Sequence, residues 1–330
     1  MRDIIAVTVK KNPVKYCLFA ICILLLTGFE VWAHFSLLPA HKWNIINLKK
    51  IDVADPGDFS LAVFGDNRNS KYVFENLLRL IDHDTDIAFA VSLGDMVQKG
   101  EKERYRWFLQ QVENNLSIPL LTAIGNHERQ GDDYGLYHDI FGPLYYSFKI
   151  GNNCFFVLDN ADGKWLDRKQ ELWLANELEK SRNCDTRIVF MHMPLYDPRM
   201  GRDPHCLGKQ ASENLIRLFL KYHVTHIFVS HIHGYFQGRW KGIPYTITGG
   251  AGAGLAGSNP DHYFFHFLKV HIKNGNLDVE VKQVPSSYEW LGRSGYRAWT
   301  SMYSFFRFHG IQALLLLVAA GLVMAIYLRE

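Results

Sequence analysis

Ile118 to Glu128, IPLLTAIGNHE, is an apolar run that stops on polar groups. Six of the seven residues from Ile118 to Ile124 are apolar or proline, which predicts a buried strand; the chain then turns at Gly125 and presents Asn126, His127 and Glu128. A carboxamide, an imidazole and a carboxylate thus meet at one strand tip. Four further apolar runs end the same way. Phe59 to Phe64 leads into Gly65-Asp66, Ile87 to Leu93 into Gly94-Asp95, Arg187 to Met191 into His192, and Thr225 to Ser230 into His231-Ile232-His233. Helical patterns lie between them, the clearest being the stripe Tyr105, Phe108, Leu109, Val112 and Leu116. Alternating strands and helices predict the α/β class with a largely parallel sheet, and such sheets gather ligands outside the carboxyl ends of their strands.

Two Asp, one Asn and three His form a mixed oxygen and nitrogen donor set, suited to zinc, manganese or iron. One tetrahedral ion does not need them all. Two ions sharing a bridging carboxylate, roughly 3.5–4 Å apart, would use every donor and clamp the attacking and leaving oxygens of a phosphoryl displacement. The residue chemistry therefore points to metal-assisted hydrolysis of a phosphate ester.

The ordered series GDNR, GDMV, GNHE, MHMP and SHIHGY resembles the calcineurin-like metallophosphoesterases, related to the purple acid phosphatases, whose pattern runs D-x-H, GD, GNH(D/E), H and GHxH. The resemblance covers roughly Phe59 to Gly254. It implies a four-layer αββα sandwich and a centre of two divalent or trivalent ions. Asp66 and His233 would hold the first ion, Asp95 would bridge, and Asn126, His192 and His231 would hold the second. His127 would be the catalytic histidine. Arg68 stands where the family's first motif has His, and Gln98 stands where the purple acid phosphatase branch has a Tyr ligand. Gln98, Asn67 or water is then expected to complete the first shell, and Arg68 and Asn67 to face the phosphoryl oxygens.

A chain of 330 residues with 48% hydrophobic content buries a large core, and a net charge of +3 is too small and too mixed for a nucleic-acid partner. Residues 1–15 are basic. Residues 16–38 read as an uncleaved transmembrane anchor, with a signal peptide ending near Val31-Trp32-Ala33 as the competing reading. Residues 39–58 read as a polar linker and 59–285 as the catalytic domain. In 286–310, Tyr288, Trp290, Tyr296, Trp299, Tyr303, Phe305, Phe306 and Phe308 alternate with Arg293, Arg297 and Arg307, the composition of a membrane-interface segment. Residues 311–328, 18 positions without a charge, read as a second span. The expected protein is thus membrane-anchored, with an exported catalytic domain acting on a phosphate mono- or diester, a lipid-linked one included. A soluble phosphoester or nucleotide, or a scaffold role on an impaired fold, are the alternatives.

Cys154 and Cys184 are expected at one edge of the sheet, either paired in an oxidising compartment or as two half-buried thiols. Asp159 and Asp162 read as turn chemistry. His205, His223, His226, His262, His266 and His271 match no ligand motif and read as surface or satisfied core histidines. Glu128 reads as an orienting group, and the glycine-rich run Gly249 to Gly257 as backbone passing close to the site.

Overall fold

The apolar runs become strands that are covered on both faces. A computed structural model describes residues 13–35, 38–130, 134–199, 205–286 and 291–327. It divides into two units, Leu38–Thr300 and the two chain ends, 1–37 with 301–330. In the larger unit, β1 (Asp58–Phe64), β2 (Ile87–Ser92) and β3 (Leu120–Thr122) run parallel, and β1 is continued antiparallel by β10 (His266–Lys273) and β11 (Asn276–Gln283). The order of this five-stranded sheet is β11-β10-β1-β2-β3. The second sheet holds β4 (Tyr146–Ile150), β5 (Asn153–Val157), β6 (Thr186–Phe190), β7 (His226–Val229), β8 (Tyr235–Trp240) and β9 (Ile243–Thr248), in the order β4-β5-β6-β7-β9-β8.

Strand side chains alternate between two cores, as the period of two requires. Leu61, Val63, Phe89 and Val91 meet Phe155, Phe190 and Phe228 between the sheets, where Phe155, Phe190 and Phe228 stack in a row at 6.2 and 5.7 Å. Ala62, Phe64 and Ala90 face the opposite way, onto α3 (Tyr72–Asp82), α4 (Lys102–Asn115) and α5 (Tyr134–Phe141). On the far side Val189, Ile227 and Ile247 pack under α6 (Arg168–Lys180) and α7 (Lys209–Lys221). The result is an α/β sandwich of four layers. Helix α3 shows why the outer layers form: it buries Val73, Phe74, Leu77, Leu78 and Ile81, one face at helical spacing. Asp167 starts α6 by accepting the Lys169 and Gln170 backbone N–H groups.

The stretch read as a polar linker carries α2 (Trp43–Leu48). Buried Asn44 accepts the Thr122 N–H at 2.9 Å and donates to the Thr122 carbonyl, while Trp43 Nε1 donates to the Leu120 carbonyl at 2.8 Å. These bonds occupy the free edge of β3, which would otherwise expose unpaired backbone. Composition had no means of showing this, because the partner strand lies 78 residues away. Cys154 and Cys184 form a disulfide with their Cα atoms 6.0 Å apart.

Helix α8 (Gly292–Tyr327) is one continuous helix, where the sequence reading separates an interface segment from a span. Within the larger unit its first turns belong to the domain. Tyr296 is buried, donates to the Gly252 carbonyl at 2.9 Å and packs on Phe265, and Arg297 Nη2 donates to the Leu255 carbonyl at 2.8 Å. Tyr288 and Trp290 lie outside the described residues, as do Arg2, Lys10 and Lys11. In the other unit, α1 (Pro13–Phe35) has 23 residues, but its apolar stretch Cys17–Leu26 is short; Ser294–Met324 is the one described segment long and apolar enough to cross a membrane.

Candidate metal centre

Each donor named from the sequence sits just beyond a strand: Asp66 after β1, Asp95 after β2, Asn126 after β3, His192 after β6, and His231 and His233 after β7. The carboxyl ends of both sheets therefore converge on one place. Asp66, Asp95 and His231 adopt left-handed backbone, with φ of 63°, 53° and 63°, a conformation that costs energy in non-glycine residues and is retained where a side chain must be aimed. Gly249 is required by close approach, since a Cβ there would stand 2.8 Å from Asp66 Oδ2.

Asp95, His192 and His231 bring one donor atom each within 4.8 Å of one another, and so do Asp66, Asp95 and His233. Asp95 is common to both groups. Asn126 Oδ1 lies 3.0 Å from both His192 Nε2 and His231 Nδ1, and those two nitrogens are 3.2 Å apart. The rings are fixed from behind. His192 Nδ1 donates to the Leu93 carbonyl at 2.9 Å beside Ser230 Oγ at 3.0 Å, and His233 Nδ1 donates to the Gly254 carbonyl at 2.8 Å, so each turns Nε2 inward. Burial, then the neighbouring His192, pushes His231 down to about 3, which keeps its imidazole neutral as a donor must be. Burial, the largest single influence, raises the Asp66 and Asp95 carboxyls, but His233 and His192 together bring Asp66 below its ordinary value, and His192, Arg68 and His127 together do so at Asp95.

Asp66 Oδ1 and Asn67 Oδ1 are buried and accept no hydrogen bond. A buried oxygen left this way costs about 1–3 kcal/mol, and a cation supplies what is missing. Carboxylate, carboxamide and imidazole atoms converging on such oxygens fit metal ions.

Arg68 lies on Asp95, with Nε and Nη2 donating to Oδ2 at 3.1 and 2.7 Å. Asn67 is fully buried and spends its amide N–H on the Met96 carbonyl at 2.9 Å. The Gln98 side chain is exposed, and it is the Gln98 carbonyl that matters, receiving His127 Nδ1 at 2.7 Å. His127 Nε2 is left 3.9 Å from Asp95 Oδ2. Glu128 is an anchor: its two oxygens accept the Asp95, Gly125 and Val97 backbone N–H groups at 2.7, 2.7 and 3.1 Å, tying two strand tips together. Asp159 accepts from the Ala161 N–H at 3.2 Å, in keeping with turn chemistry, and pairs with Arg129. Sequence reasoning missed His205, whose ring centroid lies 5.5 Å from that of His231. No motif marks it, because the contact is made by a loop.

The calcineurin-like phosphoesterase family model matches residues 59–235. Among curated relatives, the human serine/threonine-protein phosphatase CPPED1 is 25% identical over 207 residues, 56% of this chain and 63% of that protein. Purple acid phosphatase 1 of Ipomoea batatas is 28% identical over 151 residues, 39% of this chain and 31% of its own. The aligned part therefore spans about three fifths or less of these relatives. Purple acid phosphatase PPD1 from yellow lupin seeds superposes with a TM-score of 0.55 at 19% identity, over 68% of this chain and 51% of that one, which shows a shared fold. With five motifs in order, both sheets converging on them, and a family match over more than half its length, the chain belongs to the calcineurin-like phosphoesterases.

Proposed function

We propose that this chain is a membrane-anchored, metal-dependent phosphoric ester hydrolase whose substrate carries an apolar chain. The observation that carries the hydrolase reading is the pair of donor groups sharing Asp95. Asp66, Asp95 and His233 would hold one ion, and Asp95, Asn126, His192 and His231 the other. Manganese, iron or zinc bound there would polarise phosphoryl oxygens and activate water. The amide and carboxylate oxygens favour manganese or iron over zinc.

The remaining steps belong to the chain's own groups. A carbonyl only accepts, so the bond to Gln98 puts the hydrogen on His127 Nδ1 and leaves Nε2 to take up a proton from water and pass it to the leaving oxygen as the ester bond breaks. Arg68 uses two of its five N–H groups on Asp95, and its side chain remains partly exposed, which leaves donors for a phosphoryl oxygen. Glu128 holds Asp95 and Gly125 in register while this happens.

A groove in the larger unit supports the reading of a substrate with an apolar part. This groove, of about 520 Å³, is lined by Leu255, Tyr263, Phe264, Phe265, Val284 and Tyr296. Leu255 of that lining lies between two residues bonded to His233, Gly254 through its carbonyl at 2.8 Å and Ala256 through its N–H at 2.9 Å. One side of the groove thus belongs to the strand-to-loop segment that is bonded to His233, and Gly292 and Tyr296 at the start of α8 line it as well. The disulfide supports placing the domain in an oxidising, exported compartment.

Hydrolysis of n-alkyl phosphates by the full-length chain, below their micelle-forming concentrations, tests the reading. We expect kcat/KM to rise by up to about fourfold per methylene until the groove is filled. A flat series in a protein that cleaves ethyl phosphate or a nucleotide well would replace the lipid substrate with a soluble one. No turnover of any ester under any metal loading would favour the scaffold alternative.

A further inference from the structure

Arg68 takes the place of the family's first-motif histidine, and its guanidinium changes what Asp95 has left to give. An ionised carboxylate offers about four lone-pair sites, two on each oxygen. Arg68 Nε and Nη2 occupy both on Oδ2. The His127 backbone N–H takes one on Oδ1 at 2.9 Å. The last site is on Oδ1, which lies 3.4 Å from His192 Nε2, on the side of Asn126 and His231. A full bridge between two ions needs more than this remainder.

The two halves of the cluster are correspondingly unequal. On one side Asn126 Oδ1, His192 Nε2 and His231 Nδ1 lie within 3.2 Å of one another, and with Asp95 Oδ1 they complete four donors. The other side has Asp66 Oδ1 facing His233 Nε2 at 3.5 Å, while Asp66 Oδ2 already accepts the His231 backbone N–H at 2.8 Å. It lacks both the missing imidazole and a free lone pair on Asp95 Oδ2.

Resting on the hydrolase reading above, we infer that the ion positions differ sharply in affinity. One ion is held tightly by Asp95, Asn126, His192 and His231. The position between Asp66 and His233 binds weakly, because Arg68 occupies the bridging carboxylate and supplies the positive charge that a second resident ion would otherwise bring. Arg68 is in this respect a positioning residue, and it makes the second ion one that exchanges rather than one that stays.

The test counts metal without reference to turnover. The full-length chain in detergent is stripped with chelator, loaded with excess Mn(II) and desalted; manganese per chain is then measured by mass spectrometry, and its electron paramagnetic resonance spectrum recorded. We expect one retained ion with the hyperfine pattern of an isolated Mn(II), lost in Asn126→Ala and His192→Ala and kept in His233→Ala. Arg68→His, which frees Asp95 Oδ2 and restores an imidazole, should retain two ions with an exchange-coupled spectrum. Arg68→Ala, which only frees the oxygen, should tighten the second ion by about tenfold or more in calorimetric titration. Circular dichroism confirms that each variant is folded. Two equally retained ions in the unaltered chain, or a second site unmoved by both folded Arg68 variants, would overturn the inference and leave the hydrolase standing. Failure of every variant to retain any ion would instead overturn the hydrolase reading itself.

Discussion

At the carboxyl ends of β1 and β2, Asp66 and Asp95 are fully buried, and Asp66 Oδ1 has no hydrogen-bond partner. At the amino ends of the same strands, Asp58 and Asp86 face solvent and are met by cations: Lys273 Nζ on Asp58 at 2.7 Å, His271 beside it at 3.2 Å, and Lys269 on Asp86 at 3.0 Å. Asp52, Asp55, Asp278 and Glu280 share that cleft, so the end away from the donors is the richer in acids. Acid count alone would choose the wrong end. What separates the two is that exposed carboxylates find water and lysine at little cost, whereas buried ones persist only if something compensates them.

The comparison breaks most visibly if exchanges at the two ends have similar effects. Asp95→Asn and His192→Ala should abolish hydrolysis of phosphate esters while the domain stays folded. Asp58→Asn and Asp86→Asn should leave the rate at the unaltered level. Retention of most activity by the first pair would refute the assignment of the donors.

A histidine at the amino end of β7 sharpens the contrast in stability. His226 is buried against Phe228, meets Thr246 Oγ1 at 3.0 Å and is pushed down to about 4 by that burial. Its folded value lies below the unfolded 6.5, so the unfolded state binds the proton more readily. Stability from this group is complete above pH 6.5 and is lost as pH falls toward 4, by roughly 3 kcal/mol in all. Melting curves across that range should be less steep in pH for His226→Gln; an identical slope would show that the proton is taken elsewhere.

Ser230 gives a smaller effect at the site end, because it touches a donor from behind. Ser230→Ala removes the hydroxyl 3.0 Å from His192 Nδ1 but leaves the Leu93 carbonyl in place. Manganese affinity should fall by about tenfold to a hundredfold with little change in melting temperature. The smallest effect belongs to the exposed pair: Lys273→Met should leave the melting temperature within error of the unaltered protein, and a clear drop would mean that the solvent-facing cleft holds the fold together.

Not every group at the site is a donor, and here the sequence was a partial guide. GNHE placed Glu128 beside the cluster, yet its three backbone acceptances come from residues at two different strand tips. Gln98 was a candidate by its side chain and matters by its carbonyl. The aromatic and basic stretch before the apolar run 311–328 had a membrane-interface composition, but Tyr296 and Arg297 bind the Gly252 and Leu255 carbonyls. Composition reports what a segment tolerates; it does not report which carbonyl lies opposite.

The sequence by itself determined the α/β class and the run of strands ending on candidate donors. Each depends on a short-range rule: a strand's apolar run, a turn residue, and a polar group within two positions of it. Only the tertiary structure decided which oxygen of Asp95 is taken by Arg68, that Asn44 closes the edge of β3, and that Cys154 meets Cys184. Those pairings join residues 27, 78 and 30 positions apart, and local periodicity carries no information about which distant partner a side chain will meet.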